Sequence, residues 1–199
     1  FPASLGESLT PNGFRTVIDI DLLGTYNMSS AALAALKTSG KSVVINITVP
    51  RHFAEGRNWW VGHMQAAKAA ITTLSHTMAK EWAEWGVRVV NVGPGSIADT
   101  PAQLKQGSGQ GVTATASKLT ADGIPVDRGN PLGRMGTSFE IGMAAVFLCT
   151  AEYVNAETLV VDGGWWLGKD RPPTSRDKLL AVTRANEAKS RALKPTSKL

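Results

Sequence analysis

Cysteine, histidine and long apolar runs are scarce in this sequence, and each scarcity removes a class of function. Cys149 is the single cysteine among 199 residues, so no internal disulfide can form and a secreted disulfide scaffold is excluded. The three histidines, His52, His63 and His76, stand at no ligand-like spacing, and no metal site is expected. No stretch approaches the roughly 18 consecutive apolar residues of a membrane span. What is present is 43% hydrophobic residues, enough for a real core in a chain the length of one ordinary domain.

The formal net charge of +5 hints at a nucleic-acid or lipid partner until its distribution is read. Residues 169–199 hold nine Lys or Arg against three acids, while the preceding 168 hold twelve against thirteen. The body is near neutral and no nucleic acid is expected on it; the basicity belongs to a C-terminal extension whose plain reading is a solvated tail. The division expected is therefore a domain over 1–168 and an extension over 169–199. Because the chain starts at Phe1 with a loop-like Phe1–Pro11, it reads as the C-terminal part of a longer protein.

Apolar residues at mostly helical spacing predict a long helix from Phe14 to about Lys37, stopped by Ser39-Gly40. Ser42–Thr48 (SVVINIT) is β-branched and apolar, as suits a strand buried on both faces. The Ala-rich stretch Val61–Trp85, ended by Gly86, predicts a second long helix. Val87–Val92 predicts another buried strand, broken at Gly93-Pro94-Gly95. Residues 93–133, with eight glycines, read as a long excursion carrying a short helix near Thr115–Thr120. A helix capped by Ser138 and running to Thr150, a strand Thr158–Val161 closed by Gly163-Gly164, and a tail helix between Thr174 and Ala192 complete the pattern. This alternation implies an α/β fold, a doubly wound parallel sheet with helices on both faces and its site at the carboxyl ends of the strands.

Three features at that edge carry chemistry. Lys68, inside HMQAAKAA, is an ammonium among alanines, where a ligand explains it better than solvation does. Asp21, in DIDLLGTYN, has apolar neighbours and needs a cationic partner, for which Lys68 is the candidate. The strand end NVGPGSIADT offers Gly93 and Gly95 as points where backbone can approach a ligand.

The strand VVINIT, the helix ending in AAKAA, the strand VRVVNV followed by GPG, and the terminal VVDGG stand in an order that resembles the short-chain dehydrogenase/reductase family over nearly all of residues 1–168. The resemblance implies a Rossmann-like sheet of which this chain is the C-terminal portion, the glycine-rich pyrophosphate turn belonging to a first half that is missing. Where the family has its catalytic Tyr this sequence has Met64; the usual Ser falls on Val49, beside Thr48, and the usual Asn on Asp21. Tyr-dependent carbonyl reduction is therefore not supported. These departures, with His63 and GPGSIADT, look most like the peroxisomal 2,4-dienoyl-CoA reductase branch of the family.

That branch implies NADPH as cofactor and a fatty acyl-CoA as substrate, a 2,4-dienoyl-CoA being reduced to a 3-enoyl-CoA. Lys68 would bind the nicotinamide ribose, and Asp21 with Lys68 would orient a water as proton source. His63 is a rival donor, although five residues place it about 140° around the helix from Lys68. Backbone at Ile47, Pro94, Gly95 and Ile97 would face the nicotinamide, Thr100 would reach the diphosphate, Trp59 and Trp60 would serve as hydrophobic cover, and Gly107–Gly129 would cover the acyl chain. The last residues, Ser197-Lys198-Leu199, match the address read by the peroxisomal (or glycosomal) import receptor. The family also implies a homo-oligomer. Two alternatives stay open: a reductase acting on other enoyl or 3-oxoacyl thioesters, and a non-catalytic member of the family.

Overall fold

The structure is a computed structural model, and it describes residues 5, 9–50, 62–98, 100, 119–124, 127 and 130–167. Trp59 and Trp60, most of the segment Gly107–Gly129, the tail helix and the terminal tripeptide lie outside these residues. The chain divides into two compact units, Phe1–Trp166 and Leu167–Leu199, the second outside the described residues apart from Leu167.

The first helical stretch begins earlier than its apolar spacing suggests. Helix α1 (Pro11–Val17) is capped by Thr10, whose hydroxyl accepts the Gly13 N–H at 3.0 Å. Pro11, counted in the loop-like start, instead occupies the first turn, where its missing N–H has no helical partner to lose. A π-helical turn (Ile18–Leu23) leads directly into α2 (Gly24–Ser39). Strand β1 (Ser42–Ile47), helix α3 (Gly62–Trp82) with a 3₁₀ turn over Ala83–Trp85, and strand β2 (Val87–Pro94) follow. Gly86 ends that turn at φ 70°, and a Cβ there would run into the Gly40 carbonyl, so only glycine fits where the two helix-to-strand connections pass each other.

Helix α4 (Ser138–Thr150) precedes strand β3 (Thr158–Val161). Its cap is Thr137 rather than Ser138: the Thr137 hydroxyl accepts the Glu140 N–H while the Glu140 carboxylate accepts the Thr137 N–H, a reciprocal capping box. Residues 101–118 lie outside the described set, but Leu119 makes a bridge and Thr120 starts a turn closed by the Gly123 N–H, so the short helix expected there does not reach its stated end.

The three strands pair in parallel in the order β1-β2-β3. Alternation along them fills two cores. Val87 and Val89 pack with Met78, Ala79 and Trp82 of α3 and with Leu33 and Leu36 of α2 on one face. Val90 and Val92 join Val43, Ile45, Leu159 and Val161 around Leu148 and Ile141 of α4 on the other. The expected parallel α/β sheet with helices on both faces is thus the architecture found.

Candidate active site at the carboxyl edge of the sheet

Late residues of α3 pack on early residues of β2, so the helix runs against the strands and its first turns reach the carboxyl edge. Ser75 lies level with Asn46 and Asn91, to which it is hydrogen-bonded at 2.9 and 2.7 Å. Lys68 is two turns earlier, about 10 Å along the axis, and so stands beyond the ends of β1 and β2. The buried stripe of α3 comprises His63, Ala67, Ile71, Ser75 and Met78, and Lys68 flanks it. The surrounding alanines therefore put the Lys68 stem against the protein with its head at a margin that is still wet.

Asp21 arrives from the other side on the π-helical turn. There the Gly24 N–H reaches the Asp19 carbonyl, one residue further back than an α-helix allows, and the wider turn carries Asp21 toward α3. Such single π turns recur at functional sites. No signal in DIDLLG announces it, because the apolar spacing on either side is ordinary helix.

The Lys68 Nζ lies 3.5 Å from Asp21 Oδ1, with the two side chains 21% and 24% exposed. Among the described residues Nζ meets no other acceptor and Oδ2 no donor. An ammonium has three N–H donors, so the pair retains two donors and one carboxylate oxygen for a ligand or water. These fit vicinal hydroxyls such as a ribose presents, and a water held between the two charges. The position four residues before Lys68 is Met64, which has no acidic proton to offer, and Val49 likewise lacks a hydroxyl. Thr48 carries one, but it is buried and its nearest acceptor, the Val92 carbonyl, is at 3.4 Å.

Other expected cofactor residues border the same edge. Ile47 ends β1 and is 48% exposed, an apolar surface at the carboxyl edge. Pro94 ends β2, Gly95 donates its N–H to the Val161 carbonyl, and Ile97 bridges to Gly136. The Thr100 hydroxyl donates to the Ile97 carbonyl at 3.2 Å. The two glycines have a steric requirement of their own, beside the one expected. A Cβ on Gly95 would lie 2.8 Å from Asp162 Cα, and one on Gly93 2.9 Å from the Pro50 nitrogen. They are glycine because strand ends pass each other there, and that close passage requires no ligand.

His63 is not brought to the pair. It sits on the buried stripe of α3, 2% exposed, and among the described residues its buried Nδ1 has no hydrogen-bond partner. The 140° offset explains this: a residue on the Lys68 side of the helix cannot share an azimuth with one that contacts the core. Among the described residues no cluster of His, Cys, Asp or Glu forms a metal centre, and no helix is long and apolar enough to cross a membrane.

The segments Gly93–Arg134 and Gly163–Leu167 were expected to meet at this edge, but the Arg134–Glu140 pair there was not singled out in the sequence. A cleft of about 390 Å³ there is lined by Ile97, Arg134, Glu140, Val161, Asp162 and Trp166. The Arg134 guanidinium grips Glu140 through two contacts, 2.6 and 3.1 Å, and with the Thr137 N–H and hydroxyl it holds that carboxyl down to about 2 from its ordinary 4.5. The Asp162 carboxylate accepts the Gly164 and Trp166 N–H groups. The Thr137-x-x-Glu140 spacing was the available sequence signal.

Residues 4–166 match the family profile described as enoyl-(acyl carrier protein) reductase. A peroxisomal 2,4-dienoyl-CoA reductase of the (3E)-enoyl-CoA-producing kind from Arabidopsis thaliana is 38% identical over 97% of this chain and 65% of its own length. A probable 2,4-dienoyl-CoA reductase of the (2E)-enoyl-CoA-producing kind from Bacillus subtilis is 35% identical over 81% of this chain and 60% of its own. A crystal structure of a short-chain dehydrogenase from Bacillus anthracis superposes with a TM-score of 0.66 at 31% identity, covering 83% of this chain and 60% of that one. The chain thus spans about two thirds or less of the length of these relatives. Matched over most of its residues by profile, sequence and fold alike, the chain belongs to the short-chain dehydrogenase/reductase family.

Proposed function

We propose that the protein to which this chain belongs reduces 2,4-dienoyl-CoA to 3-enoyl-CoA with NADPH. The observation that carries the reading is the contact of Lys68 and Asp21 at 3.5 Å in a site where Met64 replaces a tyrosine. The likeness to two proteins named as 2,4-dienoyl-CoA reductases supports the substrate class. A reduced nicotinamide nucleotide, when bound, supplies the hydride. Lys68 binds the ribose hydroxyls through its unspent donors, with main chain at Ile47, Pro94, Gly95 and Ile97 along the ring. The Lys68 charge stabilises negative charge developing toward the thioester oxygen. An ionised Asp21 cannot itself donate, so its role is to accept from and orient a water whose proton is delivered to the substrate's α-carbon, bulk solvent returning a proton to the hydroxide left behind.

The peroxisomal name of the Arabidopsis relative supports the same compartment here, with import read from Ser197-Lys198-Leu199. The stripe of Phe139, Met143, Val146 and Phe147, each more than half exposed along α4, supports assembly with further copies of the chain. The test is turnover of 2,4-dienoyl-CoA by the full-length protein with NADPH and with NADH, followed by identification of the product double bond. A 3-enoyl product from NADPH agrees with the proposal. Turnover only of 2-enoyl or 3-oxoacyl thioesters overturns the substrate assignment, and failure to bind any nicotinamide nucleotide overturns the enzymatic one.

A further inference from the structure

Asn46, Asn91 and Thr158 are cross-strand partners, one from each strand, and form a polar row across the middle of an otherwise aliphatic sheet. All three are buried, as is Ser75 of α3 above them, which has no exposed surface. The hydrogen bonds run in one direction. Asn46 Nδ2 donates to Ser75 Oγ at 2.9 Å, Ser75 Oγ to Asn91 Oδ1 at 2.7 Å, and Asn91 Nδ2 to Thr158 Oγ1 at 3.2 Å. A serine hydroxyl has one proton, which the Ile71 carbonyl at 2.8 Å also solicits, and among the described residues Ser75 ties the middle of the helix to the row, while Asn155 bridges the Ala79 carbonyl and the Val89 N–H nearer its C-terminal end.

Aliphatic side chains would let α3 slide along the sheet at little cost, because hydrophobic burial is not directional. A buried donor chain does not, since any displacement of about 1 Å strands an amide that water cannot reach. Ser75 and Lys68 are on one rigid helix, two turns apart, while Asp21 comes from a separate helix. The height of α3 on the sheet therefore sets where the ammonium stands relative to the carboxylate.

We infer that Ser75 is a positioning residue for the Asp21–Lys68 pair, acting by locking α3 to the Asn46–Asn91–Thr158 row. The functional part of this inference rests on the reading proposed above; its structural part does not. The experiment compares Ser75→Ala with Ser75→Thr, which keeps the hydroxyl, in the full-length protein. In crystals of Ser75→Ala the Lys68 Nζ to Asp21 Oδ1 separation is expected to open beyond the ion-pair limit of about 4 Å. In solution kcat for dienoyl-CoA is expected to fall about 10- to 100-fold with KM changed less than about threefold, and Ser75→Thr to restore both readouts. A purely structural role would lower the melting temperature yet leave the separation and the kcat of folded protein unchanged, and that result overturns the inference. Should Ser75→Ala not fold, Ser75→Cys, which keeps the volume and weakens the hydrogen bonds, decides between the same two outcomes. A wild-type protein without reductase activity would end the functional reading, and the crystallographic separation alone would then decide whether Ser75 fixes the pair.

Discussion

The carboxyl edge of the sheet carries two ion pairs built to opposite specifications. Arg134 and Glu140 meet through two short contacts, and the carboxylate also accepts from Thr137, so nearly every lone pair is used within the fold. Lys68 and Asp21 meet once, at 3.5 Å, and among the described residues nothing else takes up their remaining donors and acceptor. The first arrangement spends its hydrogen-bonding capacity on holding the loop 130–137 to the start of α4. The second is a single contact at a partly exposed margin. On the function proposed above, its unspent capacity is what the pair offers a ligand.

The comparison breaks first at Lys68. If that pair is for chemistry, Lys68→Ala in the full-length protein should abolish NADPH-dependent loss of dienoyl absorbance, a fall of about 10³-fold or more, because ribose contact and charge stabilisation vanish together. Its melting temperature should barely move, a single-contact, partly exposed pair contributing about 1 kcal/mol or less. Near wild-type turnover in this variant would return Lys68 to the class of ordinary helix-surface lysines.

Asp21→Ala sharpens the division of labour. Turnover is expected to fall about 10²-fold or more, the range for a lost general acid-base function, while nucleotide affinity, measured by calorimetry, is retained. Loss of nucleotide binding in parallel with turnover would make Asp21 an anchor for Lys68 and remove its separate role in proton delivery.

Much of this division was visible in the residues, and the part that was not has a physical cause. The sheet was legible because strands of a parallel sheet leave mainly β-branched runs, as in SVVINI and VRVVNV, although only β2 is buried on both faces and β1 is half-buried at the edge of the described sheet. Lys68 and Asp21 stood out as charges in apolar settings. The π-helical turn that presents Asp21 was not legible, since one additional residue per turn hardly disturbs apolar spacing over six residues. Nor was the use of Gly93 and Gly95. A glycine needed for close passage of the chain and one needed for a ligand look identical until the atoms facing the absent Cβ are known.

That second ambiguity is itself open to test, with a smaller effect expected. Gly95→Ala places a methyl 2.8 Å from Asp162 Cα, where the backbone just after β3 has no flexible end to yield. Overpacking of this kind costs about 1–3 kcal/mol, read as a lowered denaturant midpoint. A variant of unchanged stability that has lost nucleotide affinity would reinstate the ligand as the reason for glycine.

The smallest effect falls on the stabilising pair and is best seen through pH. Because Arg134 lowers the Glu140 pKa in the folded protein to about 2 from 4.5, the ionised form is favoured by folding. Its contribution is then complete above the unfolded pKa and is lost as pH falls from about 4.5 toward 2. The carboxylate side chain is 37% exposed, so solvent screening reduces the benefit at neutral pH to about 1 kcal/mol, less than the pKa displacement alone would suggest. Glu140→Gln should therefore lower the melting temperature by a few degrees at pH 7, and the gap to wild type should close as the acid range is entered. A gap that stays constant with pH would mean that the charge of Glu140 adds nothing to stability, and the contrast between the two pairs would then lie in their geometry rather than in their charge.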